Sequence, residues 1–171
     1  MPKYFFFDID TNLLNAYADA FRDIPDVEVA DEPIDLRDLE EVDVFVSPAN
    51  SQGWMNGGID AAYSQIFPNA QREVQKKIAK LGYLDPKSQR PVLPVGSATI
   101  VSLASDKDSY QLVCAPTMFY PSNISKTPEN IFYAMYAVLK VTEYLPKDFV
   151  VAVPGMGTGV GGVTCDESAR Q

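Results

Sequence analysis

Short apolar runs alternate with helix-spaced segments along this chain, and that alternation limits the fold more than any other feature. Residues 4–9, 42–46, 99–103, 110–115 and 149–153 are runs of strand length. Between them, residues 11–22 carry Leu13, Leu14, Tyr17, Ala18 and Phe21 at helical spacing. Residues 58–82 read as helical with a break near Pro68. Residues 128–144 put Ile131, Met135, Val138 and Leu139 on one face, with Pro128 and Glu129 in the first turn. Val27 and Val29 alternate with acids, as in an edge or half-buried strand, and the acidic segment 35–43 reads as a solvated turn or a helical turn. The runs at 99–103 and 110–115 predict a strand pair joined by a turn at Ser105-Asp106-Lys107-Asp108. Strands separated by helices imply a three-layer α/β/α fold with a mixed, mostly parallel sheet. The 171 residues suit one domain, with a final helix starting near Asp166 and cut short at Gln171.

Charge and composition remove several function classes. Twenty-three acids against 14 Lys and Arg give a net charge of −9, which argues against general nucleic-acid binding, since phosphate neutralisation needs cations. The chain has no histidine. That excludes Ser-His-Asp and Cys-His catalysis and any imidazole-dependent zinc site, and no metal or cofactor is expected. A general acid or base must then be a carboxylate, Lys, Tyr or Cys. Cys114 and Cys165 read as free thiols of a reducing, cytoplasmic compartment, with Cys114 in the core. No apolar run is long enough for a membrane helix, and the residues assign no oligomeric state.

Two loops stand out. Val153-Pro154-Gly155-Met156-Gly157-Thr158-Gly159-Val160-Gly161-Gly162 follows a buried strand and precedes a helix start. Such a loop turns its backbone N–H groups toward an anion. It lacks the lysine of a P-loop and fits the dinucleotide GxGxxG spacing poorly. The second loop, Ser47-Pro48-Ala49-Asn50-Ser51-Gln52-Gly53-Trp54-Met55-Asn56-Gly57-Gly58-Ile59-Asp60, also joins a strand to a helix. Ligands of open α/β sheets sit beyond the carboxyl ends of strands, so the two loops are expected to face each other across one crevice. Each prominent residue also has a plainer reading. Asp60 suits the first turn of a helix through the helix dipole. Asn50 suits a loop residue bonding its own backbone, and Trp54 suits an anchor packed on an apolar surface.

Taken together, the strand VDVFVSPANS, the loop ending NGGID and the later VPGMGTGVGG resemble the macro domain family, whose members bind ADP-ribose. The resemblance runs in order from about residue 27 to the end. It implies that Gly157, Thr158, Gly159, Val160 and Gly161 wrap a pyrophosphate. Asn56, Gly57, Gly58 and Ile59 would line the opposite side, and Asn50 would bond the distal ribose. Asp60 would be the acid that positions water in hydrolytic members, so Asp60 and Asn50 are the candidate catalytic residues. The implied partner is ADP-ribose or an ADP-ribosylated macromolecule. The chain departs from the family in places. Ser47, a candidate ligand contact, stands where hydrolytic members have a second Asn, and Ser64 stands where some have His. Glu32-Pro33-Ile34 aligns with the Gly-Asp-Ile segment whose Asp contacts adenine, leaving Asp31 or Asp35 as substitutes. A C-terminal adenine-stacking segment is not found.

Three functions compete. One is hydrolysis of a group from the distal ribose, as in ADP-ribosyl hydrolases or ADP-ribose 1″-phosphate phosphatases. Another is an ADP-ribose-binding module without chemistry. The third comes from Phe5-Phe6-Phe7-Asp8-Ile9-Asp10-Thr11-Asn12-Leu13, which resembles the first motif of haloacid-dehalogenase-type phosphatases. There Asp8 would be a nucleophile and Asp10 an acid–base residue in a Mg²⁺-dependent reaction. The plainer reading of that pair is a strand-end acid and a helix N-cap.

Overall fold

The computed structural model describes residues 1–104 and 109–171; the expected turn at Ser105–Asp108 lies outside them. Among the described residues six strands form one sheet: β1 (Lys3–Phe7), β2 (Val27–Val29), β3 (Val44–Ser47), β4 (Thr99–Ala104), β5 (Ser109–Cys114) and β6 (Val150–Pro154). Their order is β2-β1-β6-β3-β5-β4. Only β4 runs antiparallel to its neighbour, so the carboxyl ends of β2, β1, β6, β3 and β5 share one edge. Strands buried on both faces read as unbroken apolar runs, as in Val44–Ser47, where all four residues are buried.

Among the described residues five helices cover the sheet: α1 (Thr11–Phe21), α2 (Gly58–Ile66), α3 (Ala70–Leu81), α4 (Glu129–Thr142) and α5 (Cys165–Arg170). On one face Leu13 and Tyr17 of α1, Ile131, Ala134 and Val138 of α4, and Ala169 of α5 pack on Phe6, Val46, Val113 and Val153. On the other, Tyr63 of α2 and Val74 and Ile78 of α3 pack on Phe45, Leu112 and Ala152. Phe45 is the centre of that second core, with the Tyr63, Phe67 and Tyr110 rings 5.7, 5.8 and 5.7 Å away. The expected break near Pro68 separates α2 from α3. The segment 35–43, expected as a solvated or helical turn, holds a 3-10 turn, Leu36–Asp38, whose Leu36 is buried. Among the described residues no helix is long and apolar enough to cross a membrane.

The connections create a crevice. The chain passes from β1 through α1 to β2 on one side, then crosses β1 and β6 to reach β3. A parallel sheet opens at such a reversal beyond its carboxyl edge.

Candidate functional site

That edge carries a cleft of about 460 Å³. Five segments line it: 7–9 after β1, 34–36 after β2, 48–60 after β3, 117–121 after β5 and 154–161 after β6. Both loops singled out in the sequence therefore meet at one cavity.

The glycine loop is held open by its own backbone. Gly157 takes φ +74°, a left-handed conformation that suits glycine. Its carbonyl accepts the Val163 N–H at 3.0 Å, and the Gly161 carbonyl accepts the Ile124 N–H at 2.8 Å. Among the described residues the N–H groups of Gly157, Thr158, Gly159, Val160 and Gly161 find no acceptor within the chain. Consecutive unpaired backbone donors in a loop lining a cavity are available to an anion. The final helix expected near Asp166 is α5, Cys165–Arg170, where the Thr164 hydroxyl accepts the Glu167 N–H in an S/T-x-x-E pattern.

Across the cleft, α2 begins without a side-chain cap. Its N-cap, Gly57, is extended at φ −147°, so the first-turn donors of Gly58, Ile59 and Asp60 stay free, as in any uncapped helix. Asn56, Gly57, Gly58, Ile59 and Asp60 all line the cavity. Asp60 is 7% exposed, and the Ser47 hydroxyl donates to its Oδ1 at 2.6 Å. Burial pushes the Asp60 carboxyl up to about 6, and the Ser47 bond opposes that rise. Ser47, expected as a ligand contact, is fully buried and does not line the cavity. Its side chain reaches Asp60 instead, because the strand pleat turns it inward at the end of β3. Ser64 donates to the Met55 carbonyl at 2.8 Å.

Asn50 lines the cleft, yet its amide is largely used by its own loop. Nδ2 donates to the Trp54 carbonyl at 2.9 Å, while Oδ1 accepts the N–H groups of Gln52 and Trp54. The plainer reading of this residue is thus present in the structure. Trp54 departs from the anchor expectation: it is 46% exposed and lines the cleft, while Met55 is the buried anchor. Gly53 sits so close to Val74 and Ile78 of α3 that a Cβ would clash, and the Met55 N–H donates to Gln71 of the same helix at 2.8 Å.

At the far end, Asp35 lines the cleft and Pro33 and Asp31 do not. Asp35 caps the 3-10 turn and takes a two-pronged contact from Arg37, at 2.7 and 3.0 Å. The Arg37 guanidinium holds its carboxyl well below the usual range. Sequence reasoning did not assign Ile9, Trp54, Met118 or Pro121 to the cleft. Their only signal was position after a strand. Asp8 was noticed for a different chemistry.

Fold and site together define a three-layer α/β protein with a cleft at its parallel edge. The chain belongs to the Macro domain family, whose model matches residues 46–171. It is 32% identical over 131 residues to an uncharacterized protein of Aquifex aeolicus, covering 76% of this chain and 70% of that one. It is 33% identical over 141 residues to another from Aeropyrum pernix, covering 81% and 66%. The fold is similar to the macrodomain of Mycobacterium tuberculosis DarG, with TM-score 0.60 at 21% identity over 77% of this chain and 78% of that one. It is similar to an Oceanobacillus iheyensis macrodomain mutant with ADPR, with TM-score 0.56 at 20% identity over 75% and 66%. It is also similar to Thermosipho africanus DarTG in complex with ADP-ribose, with TM-score 0.55 at 16% identity over 92% and 46%. Membership in this family leaves the dehalogenase-type phosphatase reading without support. Asp10 instead caps α1 through the Asn12 N–H at 2.8 Å. Among the described residues no three acids or cysteines cluster to hold a metal ion.

Proposed function

We propose that the cleft binds ADP-ribose or an ADP-ribosyl derivative and hydrolyses a group from its distal ribose. The observation carrying the binding half is the run of unpaired N–H groups at 157–161, facing the uncapped start of α2. Neutral amide donors suit a diphosphate in a protein of net charge −9. The diphosphate then lies on the glycine loop and the distal ribose between Asn50 and residues 56–60. The base lies toward Ile34, Asp35 and Leu36. Similar folds are known with ADP-ribose bound, which supports the ligand class. Titration calorimetry of ADP-ribose against AMP and ribose 5-phosphate tests this. ADP-ribose should bind at least tenfold tighter than either fragment; equal affinities would refute a site built for the whole molecule.

The chemical half rests on Asp60. With its carboxyl at about 6 it is ionised at neutral pH and remains basic enough to accept a proton. Ser47 occupies Oδ1, leaving Oδ2 to orient a water. The water oxygen attacks the anomeric carbon of the distal ribose as Asp60 takes its proton; the bond from that carbon to the substituent oxygen breaks, its electron pair leaves with that oxygen, and Asp60 returns the proton to it. Asp60→Ala should lower turnover of an ADP-ribosylated substrate by about 10²-fold with ADP-ribose binding mostly kept. Unchanged turnover would remove Asp60 from the mechanism.

One observation favours a binding module instead: the Asn50 amide is engaged by residues 52 and 54. Tight ADP-ribose binding without turnover of any ADP-ribosylated substrate would select that reading.

A further inference from the structure

Asp8 is the cleft residue that the reading above leaves unused. It follows β1 at the parallel edge and lines the cavity, but lies outside the span matched by the family. It is one of three carboxylates lining the cleft; Asp60 is engaged by Ser47 and Asp35 by Arg37. Its carboxylate is rigidly set: Oδ1 accepts the Asp10 N–H at 2.9 Å and Oδ2 accepts the Gly155 N–H at 3.1 Å. Gly155 makes room for this approach, since a Cβ there would collide with Asp8 Oδ2 and Leu13 Cδ2. Unlike Asp35, Asp8 has no cation partner among the described residues. Each carboxylate oxygen offers about two acceptor directions, so each keeps one after its backbone bond.

The strand order says what stands opposite. Neighbouring strands are about 4.8 Å apart. β6 delivers the diphosphate loop, and β3, on one side of it, delivers the distal-ribose residues. β1 lies on the other side of β6, and β2, one strand further, delivers Ile34–Leu36. The group one strand beyond the diphosphate, ahead of the base, is the second ribose.

We infer that Asp8 reads this base-proximal ribose: it accepts hydrogen bonds from its free hydroxyls and excludes ligands phosphorylated there. The inference rests on the ADP-ribose reading above. A vicinal diol offers two donors to an acceptor-only carboxylate. A phosphate on either oxygen removes a donor and adds up to two negative charges beside a fixed anion. Acids in dinucleotide-binding folds read a free 2′-hydroxyl by the same logic.

Calorimetry with ADP-ribose and its adenosine-2′-phosphorylated counterpart tests this, on the parent and on Asp8→Asn, at low and high salt. The parent should prefer ADP-ribose by about tenfold or more, since like charges brought together are costly. Asp8→Asn should narrow the preference to a few-fold, mainly by tightening the phosphorylated ligand. The parent's preference should also shrink as salt screens the repulsion, a readout that stands even if the variant folds poorly. Equal parental affinities, a preference unmoved by Asp8→Asn, or one independent of salt would overturn the role of Asp8 and leave ADP-ribose binding intact. Failure of the parent to bind ADP-ribose would overturn the ligand reading itself, and this inference with it.

Discussion

Asp60 is a carboxylate held where a carboxylate is costly, and its surroundings make that cost measurable. Burial raises its folded-state value from 3.8 to about 6, so the fold favours the protonated form. Between about pH 4 and 6 the unfolded chain has released this proton while the folded chain retains it. Stability therefore falls as pH rises through that window, and the ionised group is a net liability above it. Asp60→Asn removes the charge and keeps an acceptor for Ser47. It should raise the unfolding free energy at pH 8 by up to about 3 kcal/mol, with the gain vanishing at pH 4, as read by urea denaturation at both values. Ser47 acts in the opposite sense, since its hydroxyl favours the ionised form. Ser47→Ala should move the acid limb of the pH–rate profile upward, and an unmoved limb would make Ser47 a packing residue only. Asp60 was legible in the sequence as a first-turn acid after Gly-Gly. The Ser47 contact was not, because it joins a strand end to a helix start thirteen residues on.

The glycine loop joins backbone geometry to ligand access, and its glycines separate the two. At Gly157, φ is +74° and a Cβ would press on Ile131 of α4. Gly157→Ala should cost about 2 kcal/mol from left-handed strain and overpacking, lowering Tm by several degrees. Gly159 has open space around its absent Cβ and no positive φ. Gly159→Ala should leave Tm within about a degree of the parent and weaken ADP-ribose binding severalfold by obstructing approach to the amides. Equal binding by this variant would mean that the ligand does not lie on the loop. As an element, the loop was readable because strand, glycines and helix follow in order. The neighbouring 47–60 loop was readable in outline only. Met55 faces inward and Trp54 outward, and irregular backbone has no periodicity to announce which of the two does so.

Across the whole molecule, the site depends on chain segments that sequence proximity does not join. Residues 1–45 lie outside the family match yet supply β1, α1 and β2, and with them Phe7, Asp8, Ile9, Ile34, Asp35 and Leu36 of the cleft. Alternating runs reveal strands and helices. They do not reveal that β1 inserts between β2 and β6, where Tyr4 and Phe6 join a core shared with α1 and α4 residues far away in sequence. The Asp8–Gly155 bond spans 147 residues, so no local pattern encodes it. If one ligand bridges these segments, hydrogen exchange should report them together. At ADP-ribose near 100 times its Kd, amides that exchange only from the free state should slow by about 100-fold. The slowing should appear around residues 7–10, 34–37, 57–60 and 157–161 in the same experiment. Protection confined to the two later segments would mean that the β1 and β2 ends do not reach the ligand, and that the cleft is occupied over only half its length.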